Sequence, residues 1–197
     1  MSKRWFSIVA VAAVAAFLAA CARRGPGSCP MMCPMMGAMG PCHGGMASLS
    51  PELKAFEPFI GQWDREMTLI ELKGKKVSVR SKVMWRPALD GTHVLQTESW
   101  EKATGEKGQQ MTLIAYDKSS GLYRFFQFDS VAPAVELSGG FEGPKLTLDS
   151  KPLVGRVLPS HETIVRKSAD EMTGWMEIRS KDGNVRKTAE WTDRKVR

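Results

Sequence analysis

The chain has 197 residues and a mass of 21.8 kDa, room for one domain and a tail but not for two full domains. Hydrophobic residues make up 43% and charged residues 25%, which excludes wholesale disorder and a bundle of membrane helices. The formal charge is +7, falling to +5 if Lys3 and Arg4 leave with a leader, a level that an ordinary solvated surface carries.

Residues 1–4 are a short basic start, and Trp5 to Ala20 carries no charge. That stretch is shorter than the ~20 apolar residues a spanning helix needs, so 1–20 is predicted to be a secretory signal. Leu18-Ala19-Ala20-Cys21 resembles the lipobox of bacterial lipoproteins. The resemblance implies cleavage before Cys21 and acylation of its thiol and new amine, palmitate included. Two attachments matter, because one acyl chain holds a protein to a bilayer only weakly. The location it implies is the bacterial cell envelope. Ala22 after the cysteine favours the outer membrane, facing the periplasm. A small-residue signal with an incidental cysteine, or an uncleaved anchor, is the alternative.

Residues 21–47 follow as a tether. Six of the twelve methionines and three of the four cysteines fall between 25 and 47, with no Lys, Arg, Asp or Glu between Arg24 and Glu52. Glycine and proline recur every few residues, so no helix or strand is expected to run through it. Cys29, Cys33, Cys42, His43, Met31, Met32, Met35 and Met36 offer thiolates, an imidazole and thioethers. Soft ligands of this kind select Cu(I), and thiolates also take Zn(II). The spacing Cys-x3-Cys-x8-Cys-His is not a zinc-finger pattern. The segment is either a plain spacer or a Cu(I)-binding one.

Residues 48–197 are predicted to form an all-β domain. Ser50-Pro51-Glu52 reads as a helix start, with the helix ending before Pro58. Alternation then takes over. In Lys76–Arg86, Val77, Val79, Val83 and Trp85 fall on one face and Lys76, Arg80, Lys82 and Arg86 on the other. Nine similar segments are expected at Gln62–Leu72, Thr92–Lys102, Gln109–Asp117, Leu122–Asp129, Ala134–Phe141, Lys145–Lys151, His161–Arg166, Met172–Ser180 and Val185–Asp193. Turn signals such as Asp90-Gly91, Ser120-Gly121 and Gly143-Pro144 separate them. About ten short strands, with no helix long enough for a parallel crossover, predict an antiparallel barrel or a sandwich. A barrel leaves no edges and can enclose one small ligand.

Phe59-Ile60-Gly61-Gln62-Trp63 resembles the Gly-x-Trp that opens lipocalin-like chains. Leu89 to Gln96, then Ala115-Tyr116-Asp117, Tyr123 and Asp129-Ser130, resemble successive blocks of a bacterial group, domain-of-unknown-function family 1579. The resemblance spans roughly Phe56 to Asp193 and implies a calycin-like barrel of about ten strands, without an assigned activity. The sequence departs from the family pattern at Ala115 and Gln127.

The domain has no nucleophile elbow, phosphate loop, dinucleotide fingerprint or His-Glu-x-x-His, and no cysteine. No catalytic residue is therefore expected. His93 and His161 read as structural. Lys and Arg are spread along outward faces without clustering, which argues against nucleic acid as a partner. The expected partners are the bilayer, through acylated Cys21, and a small apolar molecule. Trp63, Trp85, Trp100, Tyr116, Phe126, Phe128 and Trp175 are the candidate lining of its pocket, with a packed core as the competing use of each ring. The Phe125 segment is apolar on both faces, which predicts cover on its second face by the helix or a partner. Three functions stay open: a tethered binding barrel, a metal-handling lipoprotein working through its tether, and an enzyme using interior carboxylates such as Glu98 or Glu190.

Overall fold

Period-2 alternation turns one face of every strand to a core and the other to water. The computed structural model describes residues 48–71, 74–153, 158–179 and 184–197. The expected leader, the tether and its ligand residues lie outside them. The strands are β1 Gly61–Ile70, β2 Lys76–Ala88, β3 His93–Lys102, β4 Lys107–Asp117, β5 Leu122–Asp129, β6 Val135–Glu142, β7 Lys145–Pro152, β8 Ser160–Arg166, β9 Glu171–Arg179 and β10 Val185–Lys195. Each pairs antiparallel with its sequence neighbours. β1 also pairs with β10, from Trp63 opposite Lys195 to Leu69 opposite Ala189, so the sheet closes into a ten-stranded barrel. The calycin-like barrel predicted from the sequence is the fold observed, and the expected segments end within two residues of the strands.

β2 shows the pattern most fully: Val77, Val79, Ser81, Val83 and Trp85 are buried, and Lys76, Arg80, Lys82 and Arg86 are exposed. Outward charges pair across strands, Lys82 with Asp64 at 2.6 Å and Arg194 with Glu66 at 3.2 Å. Exposed pairs of this kind contribute about 0–1 kcal/mol each, so stability is decided inside.

A 3-10 helix, Pro51–Phe59, plugs one end of the barrel and buries Leu53, Phe56 and Phe59. The Phe56 ring centroid lies 5.0 Å from Tyr123, 5.2 Å from Phe141, 5.9 Å from Phe125 and 6.3 Å from Trp85. Two of the polar groups beside this apolar cluster find backbone partners. Tyr123 donates its hydroxyl to the Glu52 carbonyl at 3.0 Å, and the Trp63 indole donates to the Phe59 carbonyl at 2.7 Å. Gly61, at φ +128°, turns the chain out of the helix into β1. That is the physical content of the Gly-x-Trp motif: glycine makes the corner, and the tryptophan seals it.

The Leu89-Asp90-Gly91 block has a related task. A Cβ on Gly91 (φ +80°) would stand 1.9 Å from the Ser48 carbonyl oxygen, and the Ser50 amide donates to the Gly91 carbonyl at 2.9 Å. The β2–β3 connection thus clamps the segment that leads into the plug. Asp117 likewise organises the β4–β5 turn. Hydrogen bonds from the Ser119 and Ser120 hydroxyls, the Ser119 amide and Arg124 hold its carboxyl well below the usual carboxylate range.

Three local expectations are corrected. The helix does not stop before Pro58 but runs through it to Phe59; proline's fixed φ suits the tight 3-10 turn. Ser50 takes the N-cap position without a side-chain cap bond. The helix also does not cover the outer face of β5. It packs inside, against Phe125, while Phe126 and Phe128 point outward and Phe128 is 46% exposed. Among the described residues no helix is long and apolar enough to cross a membrane.

Candidate ligand pocket at the open end of the barrel

Away from the plug, the inward positions change from apolar to charged. β1 follows Trp63 with Arg65, β3 follows Val94 and Gln96 with Glu98, β8 carries Glu162, and β10 carries Asp193. Arg65 donates from Nε and Nη2 to the two oxygens of Asp193 at 2.7 and 2.9 Å, and from Nη1 to Glu98 at 2.8 Å. All three side chains are buried. The Arg65 guanidinium also stands 5.2 Å from the centre of the Trp191 ring.

A cavity of about 280 Å³ opens above this cluster, just below the ~300–1,000 Å³ range of small-molecule pockets. Its floor is Arg65, Glu98 and Glu162. Its walls are Met67, Leu69, Val79, Trp100, Met176, Ala189 and Trp191. Its rim carries Lys102, Gln110, Gln127, Asp129, Val131 and Ala132. The two tryptophans are seated by glycines directly opposite them in the sheet. Trp100 faces Gly108 on β4 and Trp191 faces Gly174 on β9. A Cβ at those glycines would come within 2.1 and 2.3 Å of the indoles. Each missing side chain is the space a ring occupies, and this keeps two large rings along the wall rather than across the lumen.

Burial works to discharge Arg65, and the Glu98 and Asp193 carboxylates more than offset it, so the guanidinium stays charged. Glu162 lacks such a partner. Burial raises its carboxyl to about 7; Arg65 pulls against this, and the charges of Glu98 and Asp193 push further up. Among the described residues no hydrogen bond reaches its oxygens. The buried Ser81 hydroxyl and the indole N–H groups of Trp85 and Trp191 are also without hydrogen-bond partners there.

The seven aromatic residues expected to line one pocket are dispersed. Trp100 lines the cavity. Trp63 and Trp85 belong to the packed core at the plugged end, and Tyr116 packs partly buried against Tyr123 at 5.3 Å. Phe126, Phe128 and Trp175 are on outward positions, the last beside Lys187 at 5.9 Å. Of the two carboxylates named as interior candidates, Glu98 is inside. Glu190 is corrected to the outer face, where it pairs with Lys187 at 3.4 Å, because inward β10 positions are Ala189, Trp191 and Asp193. Arg65, Glu162 and Asp193 were missed. Part of their signal was present: Arg65 shares the inward parity of Trp63, Met67 and Leu69 on β1, Asp193 that of Ala189 and Trp191 on β10, and Glu162 that of Ile164 on β8. Both histidines lie apart from this pocket, His161 against Asp149 at 2.9 Å and His93 against Thr92 at 3.0 Å. No group of three His, Cys, Asp or Glu among the described residues is placed to hold a metal.

Fold and cavity together define a calycin-like barrel, plugged at one end and open at the other. The chain is similar to Rv2717c from M. tuberculosis, with a TM-score of 0.61 at 13% identity, over 76% of this chain and 100% of that one. It is also similar to the S-type phycobiliprotein lyase CPES from Guillardia theta, with a TM-score of 0.53 at 13% identity, over 72% of this chain and 90% of that one. At these identities the likeness is one of fold. No family model and no curated protein matches the chain.

Proposed function

We propose that the protein is a membrane-anchored binding barrel that holds a small, largely apolar molecule in the open end of its lumen. The observation that carries this reading is the 280 Å³ cavity walled by Trp100, Trp191, Met67 and Met176, in a barrel whose other end is sealed by aromatic packing. An apolar wall to desolvate a ligand, with polar groups at the floor and rim to orient it, is a make-up that suits a small-molecule site. The anchor is Cys21, acylated after cleavage of the leader at residues 1–20, which attaches the chain to the envelope membrane. On this reading the chain is a carrier and not an enzyme. The ordered motifs from Phe59 to Ser130 support placing it with domain-of-unknown-function family 1579.

A second reading comes from composition. The clustered thiols and thioethers of 25–47 are ligands that a spacer does not need. On it, the tether holds Cu(I) and the barrel serves as its platform. Native mass spectrometry of the protein from its own host separates the two. A bound organic mass retained when 25–47 is deleted supports the barrel reading. Copper lost with that deletion, and no organic mass, supports the tether.

A further inference from the structure

The floor of the cavity says which end group a ligand presents, and this rests on the reading of the barrel as a binding protein. Arg65 is spoken for: Asp193 takes two of its hydrogen bonds and Glu98 a third. An anionic end group entering the lumen would find that guanidinium already paired and would face the charges of Glu98 and Asp193 at once. Glu162 is the opposite case, a carboxyl on the cavity lining with no hydrogen-bond donor among the described residues.

Charged groups facing it are few and come from known strands. β1 supplies Arg65, β3 supplies Glu98 and, at the rim, Lys102; β10 supplies Asp193 and β5 the rim residue Asp129. Lys102 is turned to Glu106 at 2.7 Å and stands over Trp100. The residues opposite Glu162 on its flanking strands are Leu148 of β7 and Met176 of β9. His161, the next residue in β8, points outward to Asp149. Acids therefore outnumber bases at the floor, and no protein cation is free to pair with Glu162 among the described residues.

We propose that Glu162 is a recognition residue for a protonated amine: the pocket takes an apolar molecule ending in an ammonium group, buried end first, and rejects the carboxylate-ended counterpart. The ammonium hydrogen-bonds to Glu162, and Trp100 and Trp191 pack along its apolar portion. At pH 6 the carboxyl of the empty barrel is protonated. Pairing with an ammonium ionises it, and the proton goes to the buffer.

The test uses the full chain with Cys21→Ser, free of acyl groups, and three probes of one chain length: n-octylamine, 1-octanol and octanoate. Titration calorimetry at pH 6, in two buffers of different ionisation enthalpy, reads affinity and proton release together. The expected result is octylamine at least tenfold tighter than octanol, octanoate weakest, and roughly one proton released per amine bound. Glu162→Gln should erase the proton release and the amine's advantage while octanol binds as before. Octanol or octanoate binding as tightly as the amine overturns the end-group assignment and leaves the barrel's binding role standing. Glu162→Gln with amine affinity and proton release unchanged overturns it as well. No binding of any probe overturns both this inference and the function it rests on.

Discussion

Arg65 and Asp193 meet side by side, Nε to Oδ1 at 2.7 Å and Nη2 to Oδ2 at 2.9 Å, at the seam where the first and last strands close the barrel. They are directly opposite each other in register, 128 residues apart in sequence. The pair is thus a tie between the two ends of the domain, with Glu98 on β3 as its third member. Removing one partner of a buried ion pair leaves a charge without compensation, a loss of roughly 3–5 kcal/mol. Asp193→Ala should lower the free energy of unfolding by that amount in chemical denaturation. A loss under about 1 kcal/mol, typical of an exposed pair, would mean that the seam is wet.

Glu162 gives stability a pH dependence of the less common sign. Its carboxyl is raised from 4.5 to about 7 in the folded protein. Between those values the native state holds a proton that the unfolded chain has released, so stability falls as pH rises, and it levels off above 7. Over that window the folded protein should lose up to about 3 kcal/mol relative to Glu162→Gln, in which the group cannot ionise. Parallel stability curves for the two proteins from pH 4.5 to 8 would show that burial leaves the Glu162 carboxyl unshifted.

The plugged end should behave as a packed core. Phe56→Ala and Trp85→Ala should each cost roughly 3–5 kcal/mol in thermal or chemical unfolding, because both rings are buried in the aromatic cluster. Phe128→Ala, on the outer face, should cost well under 1 kcal/mol.

Ser81 should move stability the other way. Its buried hydroxyl has no hydrogen-bond partner among the described residues, so Ser81→Ala removes a desolvated group without breaking a contact. The expected change in unfolding free energy runs from zero to a gain of about 1–3 kcal/mol. A clear loss would place an ordered water on that oxygen.

The fold was legible because alternation is a local signal. Val77, Val79, Val83 and Trp85 declare the inner face of β2 without reference to any other strand. The Gly-x-Trp and Leu-Asp-Gly-Thr blocks were legible for a related reason: each fixes backbone geometry that glycine alone accommodates. The site was harder. Parity already puts Arg65 inside, after Trp63, and Asp193 inside, after Trp191. Which acid meets which base depends on the closure of β1 on β10, a pairing of distant segments. Aromatic content was a poor guide to the pocket, since the same rings serve the core at Trp63 and Trp85 and the surface at Phe128 and Trp175. One structural correlate was in the sequence but has meaning only in register: Gly108 and Gly174 stand opposite Trp100 and Trp191.

The anchor can be checked on its own. Cys21→Ser should abolish acylation of the N-terminal peptide by mass spectrometry and leave the precursor uncleaved or cut elsewhere. Wild-type protein whose N-terminal peptide carries no acyl mass would not be held to the membrane through Cys21.

Filling the open end of the barrel shows whether an apolar molecule binds there. Ala189 is buried on the cavity wall between Trp191 and the rim, opposite Leu69. Ala189→Trp should occupy the lumen and leave the far, plugged end untouched. The measurement is saturation binding of an uncharged, environment-sensitive fluorophore to the wild type and to this variant, with circular dichroism confirming the β-barrel in both. Saturable one-to-one binding to the wild type and at least a tenfold loss in the filled variant are expected. Equal binding to both folded proteins would contradict binding at the open end.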